Sequence, residues 1–71
     1  MKRHELLRRI ARMARRQGVA WSLERQGSNH EVWRCGMTHV PVPRHVDIGD
    51  LLARAIFEEL EGELGKDWWR K

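Results

Sequence analysis

Near the N-terminus, apolar residues recur every three or four positions. This spacing predicts an amphipathic helix over residues 4–17. The apolar positions that share the spacing are Leu6 or Leu7, Ile10, Ala11 and Ala14. Gly18 follows directly, and a glycine in that position is typical of a helix C-terminus.

After Gly18 the pattern changes to alternation with a period of two, which is typical of half-buried strands. A first strand is predicted over residues 19–25, and the apolar side chains of one face are Val19, Trp21 and Leu23. Gly27-Ser28-Asn29 has turn composition, and a second strand is predicted from about His30 to Cys35. The second strand directs Glu31, Trp33 and Cys35 to one face and His30, Val32 and Arg34 to the other.

A third strand and a last helix complete the predicted order. Residues 38–42 are predicted to form an edge strand, because Pro41 has no N–H to donate to a neighbour. The helix is predicted to begin between Asp47 and Asp50, either of which can cap it. Its predicted buried stripe is Leu52, Ile56 and Leu60, widened by Ala53 and Phe57. Short connections favour an α+β domain, helix–three antiparallel strands–helix, with both helices on one face.

The chain length allows one small domain. There are 71 residues and one cysteine, so no disulfide within the chain can support the core. Residues 1–65 are predicted to form the domain and 66–71 a C-terminal tail. No apolar run approaches the roughly 20 residues that span a bilayer, and no signal-peptide pattern follows the basic N-terminus. A cytoplasmic location without membrane association is therefore expected.

Charge is distributed unevenly along the chain. The net charge is +4 and the pI about 10.2. Residues 1–17 are strongly basic, whereas residues 47–64 are strongly acidic. A clustered basic face is typical of phosphate binding, but mutual neutralisation of the two ends explains the same pattern.

The turn that ends in His30 is a candidate catalytic site. Histidine can give and take protons near neutral pH. Metal-free RNA cleavage needs such a base, an acid for the leaving oxygen and positive charge for the phosphate. Arg25, Arg34 and Arg44 can each hold phosphate through a guanidinium group. On local spacing alone the motif is weak, because a histidine after a turn is usually an ordinary surface residue.

The segment Pro43-Arg44-His45 precedes the last helix. A proline-stiffened loop would present Arg44 and His45 near a helix N-terminus, where phosphate is attracted. On these residues alone, an ordinary solvated connection is the simpler interpretation.

Two further groups of residues are candidate sites: the histidines with the single cysteine, and the four tryptophans. His30, Cys35, His39 and His45 are the candidate zinc ligands, but a zinc site is not expected, because no Cys-x-x-Cys pair occurs and alternation points Cys35 away from His30. The tryptophans at 21 and 33 fit a sheet face. Trp68 and Trp69 suit either a partner surface or a fold-back over the core, and the sequence does not choose between these.

Several blocks occur in an order and spacing that one protein family shares. Residues 2–7 look like the basic start of that family's first helix, and Gly18 and Trp21 resemble its Gly-Trp before the first strand. The glycine-rich turn, His30 and Trp33 match its most characteristic motif. A second block is Pro41-Val42-Pro43-Arg44-His45, Asp47-Ile48, Leu52-Ala53, Ile56 and Leu60. Through these blocks the chain resembles the HicA-type toxins of bacterial toxin–antitoxin systems, which are small mRNA interferases.

The resemblance covers about residues 2–60 and implies the fold of a double-stranded-RNA-binding domain. It also implies ribosome-independent mRNA cleavage with His30 as the catalytic residue. The implied partner is a HicB-type antitoxin that covers the active site and represses the shared operon. We expect a monomeric free toxin without a cofactor, and an RNA-binding set of Arg25, Asn29, Arg34, Arg44 and His45.

The sequence also departs from the family pattern. Many members have serine where this chain has Asn29, and the last helix is often basic where residues 58–63 here are acidic. Two other functions therefore stay open. One is a non-enzymatic RNA-binding module of the same fold. The other is a protein-interaction module that docks through the acidic helix and the C-terminal tryptophans.

Overall fold

The first helix forms where the three- and four-residue spacing predicts it. In the computed structural model, which describes residues 1–70, α1 (Arg3–Gln17) buries Leu6, Ile10 and Ala14. Gly18 ends the helix with a φ of 70°, in the left-handed region. A side chain at this position would be strained, so the glycine explains why the helix stops here.

Three strands follow, with bounds β1 (Trp21–Gln26), β2 (His30–Cys35) and β3 (Thr38–Pro43). They form an antiparallel sheet in the order β1-β2-β3, so β2 is central. The predicted bounds of the second strand and the predicted edge position of the third are confirmed. His30 lies opposite Pro43, and Cys35 lies opposite Thr38.

β1 is less buried than its alternation predicts. It is also an edge strand, and Leu23 is 39% exposed, because β1 has a neighbour on one side only. Its Trp21 stacks on Trp33 of β2 with ring centroids 4.7 Å apart. The register shifts between Leu23 and Arg25, which leaves Glu24 as the extra residue of a β-bulge.

The last helix begins within the predicted range, at Asp50, but neither candidate aspartate caps it. It comprises α2 (Asp50–Glu59) and a short turn, α3 (Glu61–Leu64). Gly49 is the N-cap of α2, and no side chain caps it. Asp47 instead forms an ion pair with Lys2 at 2.8 Å.

The predicted burial of Leu52 is wrong. Leu52 is 44% exposed, whereas the buried residues of this region are Ala53, Ile56, Phe57 and Leu60. Each residue turns a helix by about 100°, so Leu52 lies to one side of this stripe. The spacing alone did not fix the rotation of the helix about its axis.

All helices lie on one face of the sheet. Residues of the helices and sheet share one core, and the sheet contributes Cys35, Val40 and Val42. The opposite side, called the open face below, carries Glu24, Arg25, His30, Val32, Arg34, His39 and Pro41. The described residues therefore form a compact α+β domain with one helix-free sheet surface.

The C-terminal tryptophans fold back onto the core. Trp68 begins a 3-10 turn (Trp68–Arg70) and is 4% exposed. Its indole Nε1 donates to the carbonyl of Phe57 at 2.9 Å, and Trp69 stacks on the Phe57 ring with centroids 5.9 Å apart. Of the two positions that the sequence left open, the structure shows the fold-back.

The first residues are held against the loop that follows β3. The Met1 amino group donates to Ile48 O at 2.8 Å, and Arg3 N donates to Val46 O at 2.8 Å. These bonds fix the loop between β3 and α2. Within residues 1–70, no helix is both long enough and apolar enough to span a membrane.

Candidate functional site

His30 is the first residue of β2 and points to the open face. It is exposed and pairs through its backbone with Pro43 of β3. Within residues 1–70 its imidazole has no hydrogen-bond partner, so both ring nitrogens are accessible to a ligand. A rigid central strand therefore presents an unhindered histidine.

The turn before His30 is tight and leaves little room for a side chain at Gly27. The Gly27 N–H donates to the His30 carbonyl at 2.8 Å. A Cβ on Gly27 would lie 3.0 Å from that same oxygen, closer than ordinary van der Waals contact. The glycine thus lets the turn close directly against the backbone of the candidate catalytic residue.

Arg44 lies against this turn. Its backbone N–H donates to Asn29 O at 3.1 Å, and its Nη1 donates to Gly27 O at 3.1 Å. One guanidinium nitrogen is thereby anchored, and the remaining N–H groups are free to meet an anion. His45 follows directly and is exposed. The structure brings together the turn before His30 and the Pro43-Arg44-His45 segment, which are distant in the sequence.

The other two predicted arginines lie at different distances from His30. Arg25 pairs with Val32, so it is a diagonal neighbour of His30 on the open face, about 7–8 Å away by sheet geometry. Arg34 is four residues further along β2, about 13 Å from His30. Its Nε donates to Gly36 O at 2.9 Å. His30, Arg25 and Arg44 are called the His30 cluster below. Arg34 lies at the other end of the sheet and is not part of it.

A charged network that the sequence analysis missed supports this end of the sheet. Glu31 is 8% exposed and forms an ion pair with Arg3 of α1. Trp33 Nε1 also donates to Glu31 Oε1 at 3.1 Å, and Arg3 Nε donates to Pro43 O at 2.9 Å. The network joins α1 to β2 and β3 on the core side of the sheet, next to His30. The available signal was an acidic residue on the apolar face of the second strand, which needs a cation when buried.

α1 presents basic side chains to solvent. Arg8 and Arg9 each pair with Glu5 at 3.4 Å. The arginines of α1 that form no ion pair within the described chain are Arg12, Arg15 and Arg16.

Charge pairing between the basic and acidic segments of the chain is sparse. Among residues 1–70, the ion pair between Lys2 and Asp47 alone links the basic segment 1–17 with the acidic segment 47–64. Pairwise neutralisation of the two ends therefore accounts for little of the charge pattern.

The surroundings of Asp47 and Cys35 shift the pKa values of these two side chains. The hydrogen bond and the positive charge of Lys2 lower the pKa of the Asp47 carboxyl. Burial raises the pKa of the Cys35 thiol, and the nearby Glu63 carboxylate raises it further. A neutral, buried thiol is a poor metal ligand and nucleophile.

The residues considered for zinc are spread over both faces of the sheet. Cys35 lies in the core, whereas His30 and His39 are exposed on the open face. In the part of the chain that the structure describes, no group of three or more His, Cys, Asp or Glu residues could hold a metal ion.

Comparisons with family models, with curated proteins and with solved structures found no match to this chain.

Proposed function

We propose that this protein is an endoribonuclease toxin of the HicA type that cleaves mRNA independently of the ribosome. The observation that carries the proposal is the position of Arg44. It follows the third strand, yet its hydrogen bonds to Asn29 and Gly27 hold it against the turn that presents His30. A side chain that can bind phosphate is thus held against the turn from which His30 begins.

His30 would act as the general acid and base. It takes the proton of the RNA 2′-hydroxyl, whose oxygen attacks the adjacent phosphorus and forms a 2′,3′-cyclic phosphate. The P–O5′ bond breaks, and the imidazolium returns the proton to the departing 5′-oxygen. Arg44 and Arg25 stabilise the additional negative charge on the phosphate. Such proton transfer contributes about 10²–10⁴ in rate.

The order helix–three strands–helix supports a fold like that of a double-stranded-RNA-binding domain. Arg12, Arg15 and Arg16 on α1 would bind the RNA backbone, while the acidic side chains of α2 would keep RNA away from that helix. In this proposal the toxin works in the cytoplasm as a monomer, and a HicB-type antitoxin covers the His30 cluster. Asn29 takes the position of the family's serine and offers an amide in place of the hydroxyl.

Cleavage of purified RNA in excess EDTA tests this function. We expect the unmodified protein to cut and His30→Ala to lose at least 100-fold in rate. His4→Ala is the matched control, because His4 is an exposed histidine on α1 and should leave the rate unchanged. A folded His30→Ala protein that cuts at the normal rate would remove His30 from the mechanism.

A non-enzymatic RNA-binding module is the second candidate. The arginines of α1 that lack ion-pair partners favour it, because they can bind phosphates whether or not His30 reacts. It predicts RNA binding that weakens steeply with salt and no strand scission at any protein concentration. A protein-interaction module is less well supported, since Trp68 is 4% exposed and cannot dock a partner.

A further inference from the structure

The open face contains a depression that the His30 cluster does not explain. Its volume is about 410 Å³, and Glu24, Arg25, Val32 and His39 line it. Ligand sites start at about 300 Å³, so one planar group of a substrate fits. Val32 is the apolar residue of this lining; it is partly buried, and Pro41 lies opposite it in the sheet.

The β-bulge in β1 places an acidic side chain at the rim. The register shift between Leu23 and Arg25 makes Glu24 the extra residue, and bulges commonly redirect side chains beside functional sites. Glu24 Oε2 reaches across β2 to within 4.0 Å of His39 Nε2. This distance exceeds a hydrogen bond, and the two side chains are 45% and 53% exposed. Both groups therefore keep polar atoms available for a ligand.

We infer that this depression is a nucleobase subsite that selects guanine, an inference that rests on the proposed RNA substrate. Guanine presents two adjacent N–H donors, N1–H and the N2 amino group, on its Watson–Crick edge. The two oxygens of the Glu24 carboxylate match this pair, and hydrogen bonds to a charged acceptor are strong. Adenine and cytosine place an acceptor where guanine has N1–H, so neither can make both bonds. The base would lie on Val32 and Pro41.

The subsite lies one nucleotide from the candidate catalytic residue. Val32 and His30 are two residues apart on the same face of β2, which corresponds to about 7 Å. Arg25 lines the depression and is also the diagonal neighbour of His30. It can hold the phosphate between a base over Val32 and a scissile bond at His30. The protein would therefore cut RNA next to guanosine.

Binding to short RNA tests the subsite without cleavage. The probe is a fluorescently labelled oligouridine hexamer that carries guanine, hypoxanthine or adenine at one central position, and the protein is His30→Ala at fixed salt. Guanine should bind about tenfold more tightly than adenine, since a bidentate base contact discriminates by that order. Hypoxanthine lacks the N2 amino group and should fall between them.

The variant Glu24→Gln, made in the His30→Ala protein, should abolish the preference for guanine. Its matched control is Glu59→Gln, which neutralises an exposed acid of α2 and should leave the preference unchanged. Equal affinities for the three probes, or a guanine preference that survives Glu24→Gln, overturn the subsite.

Mapping of cut sites separates this inference from the proposed activity. If the unmodified protein cuts beside guanosine and the single variant Glu24→Gln cuts without base preference, the nuclease activity and the guanine subsite are both supported. Cleavage without any base preference overturns the subsite and leaves the nuclease intact. A guanine preference in binding that depends on Glu24, in a protein that never cuts, supports the subsite and overturns the nuclease.

Discussion

Arg44 donates its backbone N–H to the carbonyl of Asn29 at 3.1 Å. This bond continues the pairing of β2 with β3 beyond His30 and Pro43, so it joins the turn motif to the loop that follows the third strand. The Arg44 guanidinium then reaches Gly27 O at 3.1 Å. The Arg44 guanidinium is thereby fixed against the turn that precedes His30.

We expect Arg44→Ala to lower kcat/KM for RNA cleavage by about 10–100-fold, because a cation that stabilises the transition state would be lost. Arg44→Lys should recover part of the rate, since lysine keeps the charge but not the paired N–H geometry. Cleavage rates at constant salt measure both effects. Arg54→Ala is the control, because Arg54 is an exposed arginine of α2 that pairs with Glu58 at 3.2 Å. Equal losses for Arg44→Ala and Arg54→Ala would show that the rate depends on the net charge of the protein and not on the position of Arg44.

Removal of Arg3 should destabilise the fold. Arg3→Met leaves the Glu31 carboxylate without its cation at a position only 8% exposed, and we expect a loss of about 2 kcal/mol in the free energy of unfolding. Urea unfolding followed by circular dichroism measures it. The double variant Arg3→Met/Glu31→Gln should lose less than the sum of the single changes, since the two residues interact directly. Strict additivity would show that the ion pair does not contribute.

The C-terminal tryptophans should differ in their contribution to stability. Trp68→Phe removes the hydrogen bond to Phe57 O, which still accepts from the Leu60 N–H at 3.1 Å, so the loss of one buried hydrogen bond should cost about 1 kcal/mol. Trp69→Phe removes no hydrogen bond that the structure shows and should cost less. Thermal unfolding of both variants tests this order. Equal effects would contradict the fold-back of Trp68.

The ion pair between Lys2 and Asp47 should make stability depend on pH in the acid range. The pKa of Asp47 is lowered in the folded protein from its ordinary value of 3.8. A carboxyl group whose pKa is lower in the folded state than in the unfolded state stabilises the fold at pH values above the unfolded-state pKa. This stabilisation is lost as the pH falls through the folded-state pKa. Asp47→Asn should therefore be less stable than the unmodified protein at pH 7, and the difference should shrink by pH 3. Urea midpoints at both pH values measure it, and a difference that stays constant would contradict the linkage.

Local chemistry in the sequence predicted much of the architecture. Gly18 marked the end of α1, and the alternation from His30 to Cys35 gave the bounds of β2. These features depend on neighbours within a few residues, since φ preferences and side-chain periodicity are local properties. The exposure of Leu52 was missed because periodicity identifies a stripe but not the rotation of the helix against its neighbours.

The sequence by itself determined the order of helix and strands, the turn at Gly27 and the position of His30 at the start of a strand. Only the tertiary structure decided that Arg44 contacts that turn, that Glu31 is buried against Arg3 and that the bulge turns Glu24 toward His39. Each of these contacts joins residues that are distant in the sequence or depends on strand register. Register and helix docking are set by the packing of the whole core, which no short segment of sequence encodes.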